Sequence, residues 1–299
     1  MENVPPGPGT LASSWIAWLR LRLAAGLRRD RSLAPPHRGC PWLLGACLAA
    51  VLVALALFLL GGYQVAFLPL NRLAAAAPDW LWEWLTILGD ARLAIALALF
   101  FSLRHPRLFW ALILAALLAT ILTHGLKPWV AAWRPPAVLP GDDFQLIGPA
   151  LRKSSFPSGH SATVAVFTGV WLCVVSSRFS RLLLLLLAVA IGMSRVAVGV
   201  HWPLDVAAGL AGGWLAAWLG IRLSNRWEGL AGRVAVHLSC VTLAAGAAVL
   251  LLVDDGGYGA SRPLQWTLGV GALGWGLSQY LIRPWRRVIR KMRLPGQFG

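Results

Sequence analysis

Apolar residues run through this chain in long, nearly unbroken blocks, separated by short clusters of arginine, proline and glycine. A hydrocarbon core about 30 Å thick takes about 20 apolar residues of helix at 1.5 Å rise per residue. Eight blocks approach that length, at 41–63, 81–103, 108–126, 158–177, 182–200, 202–223, 234–253 and 264–282. Their apolar character is continuous rather than alternating, which predicts membrane or bundle helices and not half-buried strands. The 81–103 block carries Glu83, Asp90 and Arg92, so an interfacial helix that breaks near Gly89 fits part of it. The expected fold class is all-α, a polytopic membrane helix bundle.

Composition strengthens that reading. The 299 residues are 58% hydrophobic and 13% charged, with mean hydropathy +0.67, whereas soluble domains carry about 25% charged residues. The first long apolar block starts near Trp42, so no cleavable secretory signal is expected before it. Cys40, Cys47, Cys173 and Cys240 are scattered, the last three inside apolar blocks. They read as small packing residues, with neither a disulfide framework nor metal-ligand spacing.

Charge then sets the orientation. The net charge of +16 does not point to nucleic acid, because the basic residues punctuate the apolar blocks as membrane anchors do. With the N-terminus inside, 19 of the 27 basic residues fall on internal segments. Arg72, Lys127, Arg134, Arg152, Lys153, Arg195 and Arg262 fall outside, and Arg92 stays in the ambiguous block. Such a bias places both termini in the cytoplasm of an inner (plasma) membrane, with anionic lipids as partners on the cytoplasmic side. Residues 1–40 include Trp15, Trp18, Arg20, Arg22, Arg28, Arg29 and Arg31. A helix lying on an anionic membrane surface and a disordered basic tail both fit them. Residues 284–299 read as a second basic cytoplasmic tail.

Three polar clusters fall on the external side. Ser194 to Asp205 sets Arg195, His201 and Asp205 into an otherwise apolar run. A charge within a hydrocarbon span costs about 2.5–3.5 kcal/mol on insertion scales, so such groups persist at a span end or where they serve a site. Pro203 suits the first turn of a helix. One helix should therefore end near Arg195 and another start near Trp202, with His201 at its mouth and Asp205 one turn below, in reach of the imidazole. Lys127 and Arg134 are seven apart, so any helical segment would show both on one face. Pro157-Ser158-Gly159-His160 immediately precedes a block, where a helix start presents free amides and the dipole favours an anion. Residues 127–157, with several prolines, Gly141, Asp142 and Asp143, read as a loop long enough to be functional.

Each cluster alone also fits a plainer role: a helix-end histidine, interfacial anchors, a helix cap. Together they bring three cations, a helix N-terminus and two histidines to one membrane face. That set suits phosphoryl transfer, where catalysis is mostly positioning and charge stabilisation. His124 and His237 lie outside the clusters and read as structural. The 17 tryptophans mostly mark block ends, as an aromatic belt does.

In order and spacing, the clusters resemble the type 2 phosphatidic acid phosphatase superfamily, the lipid phosphate phosphatases that share a site with vanadium haloperoxidases. The family pattern is Lys-x6-Arg-Pro, then Pro-Ser-Gly-His, then Ser-Arg-x5-His-x3-Asp. It is met without departure at Lys127 to Pro135, Pro157 to His160 and Ser194 to Asp205. The resemblance spans roughly 81–223. With the first block it implies a six-helix phosphatase core over 41–223, and it leaves 224–283 as an additional helix pair that no motif explains.

The resemblance further implies His201 as the nucleophile that forms a phosphohistidine, and Asp205 as the group that fixes its tautomer. Lys127, Arg134 and Arg195 would hold the phosphate oxygens, helped by backbone amides near Ser158 and Gly159. His160 would protonate the leaving group and then activate water. No metal and no other cofactor is implied. The expected activity is hydrolysis of a lipid phosphate or diphosphate at the periplasmic face. Undecaprenyl diphosphate, phosphatidylglycerophosphate, phosphatidate and lipid A 1-phosphate are the candidates. Transfer of the phosphoryl group to another lipid is a competing reading, and a non-enzymatic lipid-phosphate transporter or scaffold is another. Binding alone needs neither a nucleophile nor a general acid, which argues against the last.

Overall fold

A computed structural model describes residues 8–32 and 40–287. Most of the 284–299 tail, with Arg290, Lys291 and Arg293, lies outside the described residues, as does Arg38. The described residues contain helices and no strands. Helices satisfy their own backbone groups, which hydrocarbon cannot do.

In chain order the helices are α1 (Pro8–Ser32), α2 (Cys40–Gly61), α3 (Phe67–Ala74), α4 (Asp79–Leu88), α5 (Ala91–Leu97), α6 (Pro106–Val130) and α7 (Pro135–Val138). There follow α8 (Gly159–Leu172), α9 (Arg178–Ala197), α10 (Pro203–Arg226), α11 (Glu228–Ala231), α12 (Val234–Val253) and α13 (Arg262–Leu277), which continues into a π turn over Ser278–Ile282. Among them α2, α6, α9, α10 and α12 are long and apolar enough to cross a bilayer, and the protein is a polytopic membrane bundle. The other three expected spans are shorter helices. The 81–103 block breaks at Gly89, where the Asp90 side chain caps α5 by accepting from Arg92 N at 2.7 Å. The 158–177 and 264–282 blocks become α8 and α13.

The described part of the N-terminal segment is a helix docked on the bundle. Leu19 and Leu23 of α1 pack with Leu103 and Tyr280, and Trp15 Nε1 donates to the Tyr280 carbonyl at 2.8 Å. Asp30 is fully buried. It pairs with His105 Nδ1 at 2.7 Å and accepts from Arg107 N at 2.9 Å.

Helix α10 is the axis of the molecule, packed against α2, α6, α8 and α9. Glycines on it set how closely its neighbours approach. A Cβ at Gly209 would lie 2.4 Å from the Ser158 carbonyl oxygen, and one at Gly213 would lie 2.3 Å from that of Ala162. Small residues allow this backbone contact between membrane helices. The result holds the N-terminus of α8 against the first turns of α10, where the site forms. The α12 and α13 helices pack on α5 and on each other.

Candidate active site

The α9–α10 connection is built as the proline predicts. Helix α9 ends at Ala197, Trp202 is the N-cap of α10, and Pro203 opens its first turn. The amides of Val200 and His201 both bond to the Arg195 carbonyl, each at 3.2 Å, which closes the turn. Asn71 of α3 pins the loop that carries Gln145 to the same place. Its side-chain amide donates to Gln145, Val196 and Ala197 carbonyls at 3.0, 3.0 and 3.1 Å, and its oxygen accepts from Gln145 N at 2.8 Å.

His201 is 2% exposed and Asp205 fully buried. His201 Nδ1 lies 3.2 Å from Asp205 Oδ2, and Nε2 lies 3.0 Å from Arg134 Nη1. A guanidinium can only donate, so Nε2 must carry the lone pair and Nδ1 the proton that Asp205 accepts. Neighbours alone thus settle the tautomer. Asp205 Oδ2 also accepts from Trp202 N at 3.0 Å and Ser155 Oγ at 2.5 Å, and Tyr63 donates its hydroxyl to Oδ1. Burial, then the Arg134 charge, push His201 down to about 3, against the pull of Asp205. The ring is therefore neutral near pH 7. Burial and the Asp205 carboxylate raise Tyr63 well above its ordinary value, so it stays a donor.

Arg134 reaches the histidine by a route that helical periodicity does not describe. Helix α6 stops at Val130, and Ala131 is left-handed at φ 47°. Lys127 and Arg134 therefore do not share a helix face, which corrects the expectation drawn from their spacing. The chain turns instead, and loop carbonyls hold the guanidinium. Arg134 Nε donates to Lys153 at 2.8 Å, Nη2 to Ser154 at 3.2 Å and Nη1 to Val200 at 3.2 Å. Lys127 is half-buried on the last turn of α6, within electrostatic reach of Arg134.

Ser158 also differs from expectation in one respect. Its amide donates to the Asp205 carbonyl at 3.1 Å, and its Oγ caps α8 by accepting from Ser161 N at 3.3 Å. The amides left for an anion are those of Gly159 and His160, the first two residues of α8, which have no carbonyl partner within the helix. Space beside Gly159 is open: a Cβ there would touch nothing within 4 Å. Gly159 and His160 line a cavity of about 270 Å³ between α5, α6 and α8, along with Asp90, Thr123 and His124. His124 thus lies near the site, while His237 is buried against Tyr280, with Nε2 2.7 Å from its hydroxyl. Arg195, 2% exposed, donates through Nη1 to Thr86 Oγ1 at 2.5 Å and to Tyr258 Oη at 2.9 Å.

The structure thus gathers His201, Asp205, Arg134 and the Ser158–His160 turn through direct contacts or contiguous backbone, with Lys127 and Arg195 in electrostatic reach. Sequence reasoning missed Tyr63, Ser155, Thr86 and Tyr258. A usable signal existed for two of them. The chain has 17 Trp and 10 Phe but only three Tyr, so a tyrosine here marks a place where a hydroxyl is needed. Among the described residues no group of three or more His, Cys, Asp or Glu is arranged to hold a metal ion.

Comparison with known proteins decides the family. The profile of the PAP2 superfamily matches residues 108–228, a segment that holds all three clusters. That segment belongs to the PAP2 superfamily. It is 37% identical over 123 residues to an undecaprenyl-diphosphatase of Sulfolobus acidocaldarius, over 40% of this chain and 57% of that protein. It is 48% identical over 63 residues to a lipid A 1-phosphatase of Rhizobium etli, over 21% of this chain and 26% of that one. The chain therefore spans little more than half of the first relative and about a quarter of the second. The crystal structure of Aquifex aeolicus LpxE is 31% identical, with 52% of this chain and 94% of that one covered and a TM-score of 0.46. The matched segment ends at residue 228, before α12 and α13.

Proposed function

We propose that this PAP2 protein is a lipid phosphatase that hydrolyses a lipid phosphate or diphosphate through a phosphohistidine on His201. The observation that carries the reading is the Asp205–His201–Arg134 line. One hydrogen bond fixes the proton on Nδ1, and the other leaves a neutral Nε2 lone pair beside a phosphate-binding cation. The relatives named as an undecaprenyl-diphosphatase and a lipid A 1-phosphatase support the substrate class.

In the first step Arg134 moves its Nη1 hydrogen bond from Nε2 to a phosphate oxygen. The Nε2 lone pair then forms the N–P bond as the P–O bond to the lipid breaks. Burial and the neighbouring Arg195 charge lower His160, and the bound phosphate's negative charge opposes that shift, so His160 takes up a proton with the substrate and gives it to the leaving oxygen. Asp205 stabilises the charge that develops on the ring. In the second step His160 takes a proton from water, whose oxygen attacks phosphorus. The N–P bond breaks and inorganic phosphate leaves. Lys127, Arg134, Arg195 and the amides of Gly159 and His160 neutralise the equatorial oxygens throughout. These groups supply the stabilisation without a metal.

Purified protein in detergent should release inorganic phosphate from at least one of undecaprenyl diphosphate, phosphatidylglycerophosphate, phosphatidate and lipid A 1-phosphate. Activity should survive EDTA and be inhibited by vanadate, which imitates five-coordinate phosphorus. Label appearing in an acceptor lipid would convert the reading to phosphoryl transfer, and binding without turnover would convert it to a transporter or scaffold.

The basic-residue bias puts this site on the outer, periplasmic face of an inner membrane, with the termini inside. Replace the native cysteines by alanine and introduce single cysteines at Arg152, Gly259, Phe179 and Gly229. An impermeant thiol reagent added to intact cells should label the first two and spare the last two. The reverse pattern would place the site on the cytoplasmic face.

A further inference from the structure

The helix pair outside the PAP2 segment has no motif of its own, yet the connection between its helices enters the site. Tyr258 lies in that connection, 4% exposed, and packs with Ile147, Val198 and Val200. Its hydroxyl accepts from Arg195 Nη1 at 2.9 Å, and the guanidinium carbon stands 5.7 Å from its ring centroid. The fit is tight: a Cβ at Gly148 would come 2.7 Å from the Tyr258 ring.

The connection itself is clamped to the helices that flank the Gly89 break. Arg92 Nη1 pairs with Asp254 and Nη2 with Asp90, both at 2.8 Å. The Ala260 amide donates to Glu83 Oε2 at 2.7 Å, and the Ala260 carbonyl accepts from Trp84 Nε1 at 2.8 Å. Tyr258 is therefore held from both sides.

Arg195 is a buried cation without a carboxylate partner among the described residues. Both of its hydrogen bonds, to Thr86 and Tyr258, use Nη1, and its buried Nε makes none. With Nη1 tied from two sides, the guanidinium cannot rotate freely, and its buried Nε is left without a partner. The Nε edge is the one a guanidinium uses for fork-like contact with phosphate oxygens.

We propose that Tyr258 is a positioning residue for the phosphate site: the α12–α13 pair is retained because its connection delivers the hydroxyl that fixes Arg195. The inference deepens the phosphatase reading and rests on Arg195 as a phosphate ligand.

The test is orthovanadate affinity, measured directly by titration calorimetry on full-length protein and as inhibition of turnover. Tyr258→Phe keeps the ring and its packing and removes one hydrogen bond to a charged group, so vanadate binding and KM should each weaken about tenfold or more. kcat should fall less. In an Arg195→Lys background the same change should add nothing further, because the group it positions is gone. Should Tyr258→Phe not fold, Asp254→Asn on the exposed rim loosens the same clamp, and it should weaken vanadate binding in the same direction by a smaller factor.

The proposal is overturned if Tyr258→Phe lowers only the melting temperature and binds vanadate as wild type does, or if it still weakens binding in the Arg195→Lys background. It is also overturned if Asp254→Asn, standing alone, leaves affinity unchanged. Wild type that binds vanadate yet releases phosphate from no lipid would sink the phosphatase reading while leaving the affinity comparison decisive for Tyr258. Wild type that does not bind vanadate would sink both.

Discussion

His201→Ala is expected to lose about six orders of magnitude in kcat, the usual scale for removing a covalent nucleophile, while lipid phosphate binding weakens far less. The separation follows from how the site is held. Arg134 is anchored by the carbonyls of Lys153, Ser154 and Val200, and Arg195 by Thr86 and Tyr258. Removing the imidazole leaves both cations in place. Rapid quenching of wild type with labelled substrate should trap an acid-labile, base-stable phosphoenzyme, and the variant should trap none. Normal turnover by His201→Ala would end the nucleophile assignment and return the pocket to a binding role.

Asp205→Asn should be the next most damaging single change, with a fall in kcat on the order of 10³, somewhat below the roughly 10⁴ seen for the comparable change in a serine protease triad. Three donors converge on Oδ2, from Ser155, the Trp202 amide and His201, whereas Tyr63 alone serves Oδ1. The asparagine oxygen must therefore take the Oδ2 position, and its amide faces Tyr63, whose hydroxyl can turn to accept. Geometry and tautomer survive under that arrangement. What is lost is the negative charge that stabilises the ring once it carries the phosphoryl group. The phosphoenzyme should form slowly, with KM little changed. A kcat within tenfold of wild type would mean that Asp205 holds the α9–α10 turn and does not act on the ring's charge. A second variant, Tyr63→Phe, removes the partner that the asparagine amide needs, and it should make Asp205→Asn worse than either change alone.

The sequence by itself determined the elements and the local half of the site. Long apolar blocks specify helices because only self-satisfied backbone survives in hydrocarbon, and their polar interruptions specify where helices stop. The break near Gly89, the start of α10 at Pro203 and the start of α8 after Ser158 were all legible, whereas the capping role of Asp90 came from the structure. So was the His201–Asp205 contact, because residues four apart near a helix start meet through backbone geometry alone. The three clusters likewise identified the family, since they carry its residues at its spacing.

Tertiary structure decided the rest. Lys127 and Arg134 looked like one helical face, but the chain turns left-handed at Ala131, and only carbonyls from the 153–154 and 200 segments place the guanidinium. Ser158 lost its amide to the Asp205 carbonyl because Gly209 and Gly213 let α8 and α10 touch along their backbones. Tyr63, Thr86 and Tyr258 meet Asp205 and Arg195 across sequence separations of 142, 109 and 63 residues. Periodicity is a local property and says nothing about such pairs. A buried charge must find hydrogen-bond partners wherever packing brings them, so the identity of those partners is settled by how the helices assemble.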